Sequence, residues 1–302
     1  MRLRRSELST PGSNVRMIER AAASSADLVF LDLEDSVAPN EKVSARAKVI
    51  DALNGLDWGK KTRAVRINNV ETEYAYQEVI ELAEKAGDHL DLIIIPKVKG
   101  PRDLWFVDTL LSGIEMRLKR KRRIGIEVLI EEVQALINVE EIARCTPRLE
   151  AIIFGPGDFS ASQGVRFPAK GAAGYPGDMW HYARNKIVVA ARAAGIDAID
   201  GPFADFHDPE GYRREATWAS ILGFVGKWAI HPSQIDLANE VYSPTKDEVA
   251  RARKMAEVYA KAEADGLGAV TYEGVMIDVA SVRGIRHVIE RADLIGMYWI
   301  EM

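Results

Sequence analysis

Eight short apolar runs, each ending in polar or turn residues and separated by helical stretches, govern what this chain can fold into. In order they are SELSTPG (6–12), LVFLDLED (28–35), RAVRIN (63–68), LIIIPKV (92–98), IGIEVLIE (124–131), AIIFGPGD (151–158), AIDGPF (198–203) and GKWAIHP (226–232). Most are continuous and rich in β-branched residues, as parallel strands buried on both faces must be. Between them, VRMIERAAASSA (15–26) and YQEVIELAEKAG (76–87) space their apolar residues by three and four, the period of an amphipathic helix. Alternating strand and helix argues for a parallel α/β fold, and eight units argue for closure into a (β/α)₈ TIM barrel. An open doubly wound sheet is the alternative, but no G-x-G-x-x-G dinucleotide turn is present.

After the last strand the pattern changes. Ser233 with Asp236, and Thr245 with Glu248, have the spacing of capping boxes. A long charged helix is expected over 247–266, then GAVTYEGVMIDVASVRG (268–284) and a last helix ending near Ile295. The expected organisation is therefore a barrel over 1–239 and a C-terminal helical lid extension over 240–302, covering its own barrel or a neighbouring subunit.

Composition narrows the function classes. A net charge of −5 gives no reason to expect nucleic acid as a partner. No apolar stretch is long enough for a membrane span, and MRLRRSEL lacks the apolar core of a secretory signal. The one cysteine, Cys145, cannot form an internal disulfide, so a cytoplasmic setting and an inert thiol are expected. The run RLKRKRR (117–123) reads as a solvated helix end in preference to a phosphate site.

The C-terminal ends of the strands carry Asp32, Glu34 and Asp35, then Arg66 and Asn68, Lys97, Glu131 and Glu132, Asp158, Asp200 and Asp205, and His231. In a (β/α)₈ barrel these ends share the face where chemistry is done. Glu131 and Asp158 end adjacent strands, and two carboxylates placed close together repel unless compensated. A hard divalent cation held by both is one resolution; an arginine partner for Glu131 and a helix cap by Asp158 is the other. Spacing alone leaves both open. Arg66 is either a salt-bridge partner or a fixed cation facing a developing enolate. Lys97 allows a Schiff-base reading, with pairing to local acids the plainer one. His231, ahead of Pro232, is a general base or a structural residue.

The ordered set PGSN (11–14), FLDLEDSVAP (30–39), VRIN (65–68), IIIPKV (93–98), EVLIE (127–131), FGPGDFSAS (154–162), DGPFADFHDPEG (200–211) and GKWAIHPSQIDLANEVYSP (226–244) closely resembles the HpcH/HpaI aldolase and citrate lyase beta-subunit superfamily. The resemblance runs from Arg5 to about Ile295. GVMIDVASVR (274–283) matches the stand-alone CoA lyases, and the pattern is most like that of the malyl-CoA lyases.

The resemblance implies Mg²⁺, with Mn²⁺ as a substitute, held by Glu131 and Asp158, with Glu34 and Asp35 as supporting acids. It implies that Gly157 and Asp158 offer backbone N–H groups to a glyoxylate carboxylate, and that Arg66 holds the thioester oxygen as it becomes an enolate. Asp278 would be the acid/base at the thioester α-carbon, donated from an adjacent subunit of a homotrimer or homohexamer. Ser9, Asn14 and Arg20 match CoA-contacting positions, and Ile230 and His231 a further substrate-contact pair. The implied partners are an acyl-CoA thioester and a small 2-oxo acid. The implied reaction is reversible cleavage of (S)-malyl-CoA to acetyl-CoA and glyoxylate, with β-methylmalyl-CoA as a second substrate. Citramalyl-CoA cleavage, malyl-CoA thioester hydrolysis, a citrate-lyase-type subunit and a metal-free Schiff-base aldolase are the rivals. The chain departs from the pattern at Ser9 and Asn14, where some relatives carry an aromatic and an arginine. It departs also over 163–186, a shorter and different segment near the pocket that bears on acyl-chain preference.

Overall fold

The computed structural model describes residues 2–166 and 177–298. The chain divides into two compact units, one spanning Arg4–Asn239 and a second that begins at Glu240.

The first unit is a closed barrel of eight parallel strands in sequence order: β1 (Ser6–Pro11), β2 (Leu28–Asp32), β3 (Thr62–Arg66), β4 (Leu92–Ile95), β5 (Gly125–Ile130), β6 (Leu149–Phe154), β7 (Asp197–Asp200) and β8 (Gly226–Ala229). β8 pairs with β1 and completes the cylinder. Each strand overlaps one of the eight apolar runs, with β3, β6 and β7 beginning one or two residues before theirs, and helices cross over between them, among them Val15–Ala22, Lys42–Gly55, Ala75–Lys85, Pro101–Arg117 and His181–Ala194. Strand residues pointing inward and outward are both buried: β4 and β5 have no exposed position. That double burial is why the runs are continuous in sequence. Inward residues two apart on each strand, Leu28 and Phe30, Leu92 and Ile94, Ala151 and Ile153, meet Leu129, Ile199 and Trp228 in the interior. Phe30 and Trp228 pack with ring centroids 4.4 Å apart.

Punctuation follows the expected chemistry. Pro101, Pro156 and Pro209 open helices, where the missing N–H costs nothing. Gly223 closes Pro209–Leu222 at φ 110°, a region that glycine enters far more readily than other residues. One expectation fails: Ser233 and Asp236 do not form a capping box. Pro232 instead starts a 3₁₀ turn, Pro232–Gln234, one residue earlier, and the His231 ring caps it through Nδ1, which accepts from Ser233 N at 3.2 Å. Asp236 accepts from Ser25 Oγ.

In the second unit, Thr245 and Glu248 form the expected capping box at the head of helix Lys246–Ala264. A hairpin follows, β9 (Ala269–Tyr272) against β10 (Val275–Asp278). Its two turn residues, Glu273 and Gly274, both have positive φ, 48° and 77°, as a right-twisted two-residue hairpin turn demands. Helix Val279–Leu294 closes the unit, tied to the first helix by Arg253, which donates to Asp293.

Candidate functional site

Period-two alternation carries the interior pattern up to the barrel mouth. Beyond Leu28 and Phe30 on β2 comes Asp32; beyond Ala64 on β3 comes Arg66; beyond Leu129 on β5 comes Glu131; beyond Ile153 on β6 comes Gly155. The β2–β3 register sets Asp32 directly beside Arg66. The two join in a bidentate pair, Nε–Oδ1 and Nη2–Oδ2 both 2.7 Å. Asp32 also accepts from the N–H groups of Glu34 and Ser36. Burial works against the Asp32 carboxylate, yet the Arg66 charge and these hydrogen bonds hold its pKa below the ordinary value. The Arg66 guanidinium stacks over Trp228 and Phe30, 5.4 and 5.9 Å from their ring centroids, and its Nη1 lies 3.2 Å from Glu34 Oε2. The salt-bridge reading of Arg66 therefore holds, and the pair fixes the orientation of its cation.

The carboxylates gather around Lys97. Its ammonium contacts Glu34 Oε1, lies 3.1 Å from Asp35 and 3.7 Å from Asp158 Oδ2. Its backbone N–H donates to Glu131 Oε1 at 2.8 Å. Burial would lower the pKa of Lys97, but the hydrogen bond and charge of Glu34, with Glu131 and Asp35, raise it above the usual lysine range. A persistent ammonium is a poor Schiff-base nucleophile, so the structure favours pairing. Glu131 is buried, while the Asp158 side chain is 43% exposed. Burial, then the charge of Glu34, push the Glu131 carboxyl up to about 8. Gly155 makes this placement possible: a Cβ there would stand 2.6 Å from Glu131 Cβ and 2.7 Å from its Oε2.

These residues fit a divalent cation. The donors are carboxylate oxygens, one just after β5 and the other in the first turn of the helix after β6, and Glu131 is buried beside a second acid, Glu34, so a further cation favours its charged form. Among the described residues no group of three or more His, Cys, Asp or Glu side chains forms a ready cage. Two carboxylates with positions left for water and substrate oxygens are the arrangement typical of Mg²⁺.

Gly157 and Asp158 occupy the first turn of helix Pro156–Gln163, where N–H groups have no partner within the helix and favour an anion. Ser9 and Arg20 line one cavity of about 540 Å³ together with Ile230 and His231. Asn14 does not line it; its side chain caps helix Val15–Ala22 by accepting from Met17 N. His231 stacks on Phe206, ring centroids 4.7 Å apart. Asp278, in the second unit, caps helix Val279–Leu294, accepting from Ser281 N and Oγ at 2.9 Å, and these bonds lower its pKa.

Other expectations resolve as structure. Arg117, Arg120 and Arg122 of RLKRKRR pair with Glu84, Asp88 and Asp91. Burial pushes the Cys145 thiol up to about 11, consistent with an inert residue. Asp200 is consumed by Lys227 and Arg184. Residues 167–176, within the divergent segment 163–186, lie outside the described residues. Sequence reading missed the positioning roles of Asp32 and Gly155 and the central place of Lys97. The signal for Asp32 is its level with Arg66 once the two strands are aligned.

Comparison with known proteins follows the same lines. The chain is 44% identical, over 97% of its length and 95% of the relative's, to an L-malyl-CoA/β-methylmalyl-CoA lyase of Cereibacter sphaeroides. It is 33% identical, over 91% of its length and 83% of the relative's, to a malyl-CoA/β-methylmalyl-CoA/citramalyl-CoA lyase of Chloroflexus aurantiacus. Among solved structures it resembles the protein CitE of Mycobacterium tuberculosis in complex with magnesium, acetoacetate and coenzyme A, with a TM-score of 0.73 and 28% identity, covering 95% of this chain and 97% of that one. The HpcH/HpaI aldolase/citrate lyase family model matches residues 5–232, and the chain belongs to that family.

Proposed function

We propose that this chain is a metal-dependent carbon–carbon lyase that cleaves (S)-malyl-CoA reversibly to acetyl-CoA and glyoxylate, and β-methylmalyl-CoA to propionyl-CoA and glyoxylate. The observation that carries the reading is near-full-length identity of 44% to lyases named for those substrates. The geometry of the mouth supports it: an oriented arginine beside a pair of carboxylates suited to a hard cation.

Glu131 and Asp158 would hold Mg²⁺, with Mn²⁺ as a substitute, which would supply Lewis-acid polarisation of the oxo-acid oxygens. The N–H groups of Gly157 and Asp158 would receive the substrate carboxylate at the helix N-terminus. In cleavage the substrate hydroxyl gives up its proton to solvent and its oxygen forms the glyoxylate carbonyl, while the bond from that carbon to the thioester α-carbon breaks and its electrons pass into the thioester carbonyl. Arg66, fixed by Asp32, would face that oxygen and stabilise the enolate. Asp278 would protonate the α-carbon in cleavage and remove its proton in condensation. Its lowered pKa keeps it a carboxylate at neutral pH, ready for the condensation role. Ser9 and Arg20, with Ile230 and His231, would hold the CoA moiety and the acyl chain, and Asn14 would touch the CoA from the head of helix Val15–Ala22; Glu34 and Asp35 would hold Lys97 beside the ligands. The reading includes a homotrimer or homohexamer in which Asp278 reaches a neighbour's barrel.

No helix among the described residues is long and apolar enough to cross a membrane. The single cysteine supports a cytoplasmic setting. A citramalyl-CoA activity is the second reading, favoured by the Chloroflexus relative's name. Product analysis after incubation with each of the three CoA esters tests the reading. Glyoxylate from malyl-CoA, matched by acetyl-CoA, is expected. Pyruvate from citramalyl-CoA alone would move the assignment to the second reading, and free CoA with malate would overturn both.

A further inference from the structure

Lys97 is one of three described non-glycine residues with positive φ, here 50°. An L-residue other than glycine, asparagine or aspartate rarely holds that conformation, and glycine would adopt it without strain. At Lys97 that backbone conformation is combined with a side chain engaged on three carboxylates. The same backbone turn points its N–H at Glu131 Oε1, 2.8 Å away, while the side chain returns to Glu34, Asp35 and Asp158. One residue thus touches both expected metal ligands, one by its amide and one by its charge.

We propose that Lys97 is a resident counter-cation that sets the affinity of the barrel mouth for its divalent metal. In the metal-free protein its ammonium holds Glu34, Asp35 and Asp158 together against their mutual repulsion. A cation arriving between Glu131 and Asp158 meets that ammonium as a like charge a few ångströms away and leaves it to Glu34 and Asp35 alone. Glu34 and Asp35 are therefore positioning residues: they give the ammonium somewhere to stay when the metal takes Asp158. The consequence is a site that binds its metal more weakly than its carboxylates alone would, and that stays folded without it.

This inference rests on the metal reading above but on no particular substrate. It is tested by titrating the native protein and the variants Lys97→Met, Lys97→Gln and Lys97→Arg with Mg²⁺ by calorimetry, and by melting each in EDTA and in Mg²⁺. Met and Gln keep the amide donated to Glu131 and remove the charge; Arg keeps the charge. Both neutral variants are expected to bind Mg²⁺ at least about tenfold more tightly, the scale of removing a unit charge a few ångströms from a divalent ion in a partly screened site. They are expected to melt below native in EDTA and to recover in Mg²⁺, with Arg near native in both. Unchanged or weaker Mg²⁺ affinity in the neutral variants would overturn the proposal. So would an equal loss of melting temperature with and without Mg²⁺, or failure to fold in both, either of which makes Lys97 merely structural. Native protein that binds no Mg²⁺ removes the metal reading itself; native binding with unchanged variants removes only the role of Lys97.

Discussion

Asp32 accepts hydrogen bonds from Arg66 Nε and Nη2, from the N–H groups of Glu34 and Ser36, and from the Ser36 hydroxyl. It is fully buried, and Arg66 nearly so. Removing one charge of such a pair leaves the other desolvated and uncompensated, at a cost of about 3 kcal/mol. Asp32→Asn is therefore expected to lower unfolding free energy by that order in urea denaturation and to reduce kcat, because Arg66 loses the fork that aims it. Gly155→Ala makes a different point, since a methyl there collides with Glu131 and nothing else close. It should weaken Mg²⁺ binding in calorimetry while leaving the strand pairing of β5 and β6 intact by circular dichroism. The chemistry-bearing residue types at the strand ends are legible in the sequence, as are the alternatives for Arg66 and Lys97. What sequence does not carry is register and backbone handedness. Nothing in IIIPKV announces a lysine at φ 50°, and the Asp32–Arg66 pairing appears only when β2 and β3 are aligned.

At the scale of elements, the strands are legible because burial on both faces writes itself as unbroken β-branched runs. The exact capping of the short turn after β8 is not, because Pro232 and the His231 ring decide it locally. β1 carries a second consequence at the opposite end of the barrel. Glu7 is fully buried, with Oε2 accepting from Trp228 Nε1 at 2.9 Å and Oε1 without a hydrogen-bond partner. Burial, then the charge of Glu127, raise its pKa well above the ordinary 4.5. A carboxyl with a raised folded-state pKa binds its proton more tightly folded than unfolded. Its contribution to stability is present below the ordinary glutamate range and is lost as pH rises through the folded value. Glu7→Gln, which keeps an acceptor for Trp228, should therefore raise the melting temperature at pH 8 by about 2–4 °C, the shift that roughly 1 kcal/mol produces in a domain of this size. The difference should vanish towards pH 5. A constant offset at both pH values would contradict the assignment of a buried proton to Glu7.

For the whole molecule, the proposal gives Asp278, in the second unit, a role at a barrel mouth built by the first. The proposed exchange between subunits has a clear consequence. Arg66→Met and Asp278→Asn homo-oligomers should each lose cleavage activity. When the two are unfolded together and reassembled, sites pairing a native Arg66 with a partner's native Asp278 should restore about a quarter of native activity under random assortment in a cyclic oligomer. If Asp278 serves its own barrel, every mixed site retains one lesion and no activity returns. The central claim is that the mouth formed by Arg66, Glu131 and Asp158 is a metal-dependent carbon–carbon lyase site. Its most direct measurement is glyoxylate and acetyl-CoA released from (S)-malyl-CoA, followed by mass spectrometry for the native protein and for Glu131→Gln, each in Mg²⁺ and in EDTA. Equal amounts of the two products from native protein in Mg²⁺, with at least roughly a thousandfold less in EDTA or from Glu131→Gln, is the predicted result. Undiminished cleavage in EDTA, or in the variant, would contradict it.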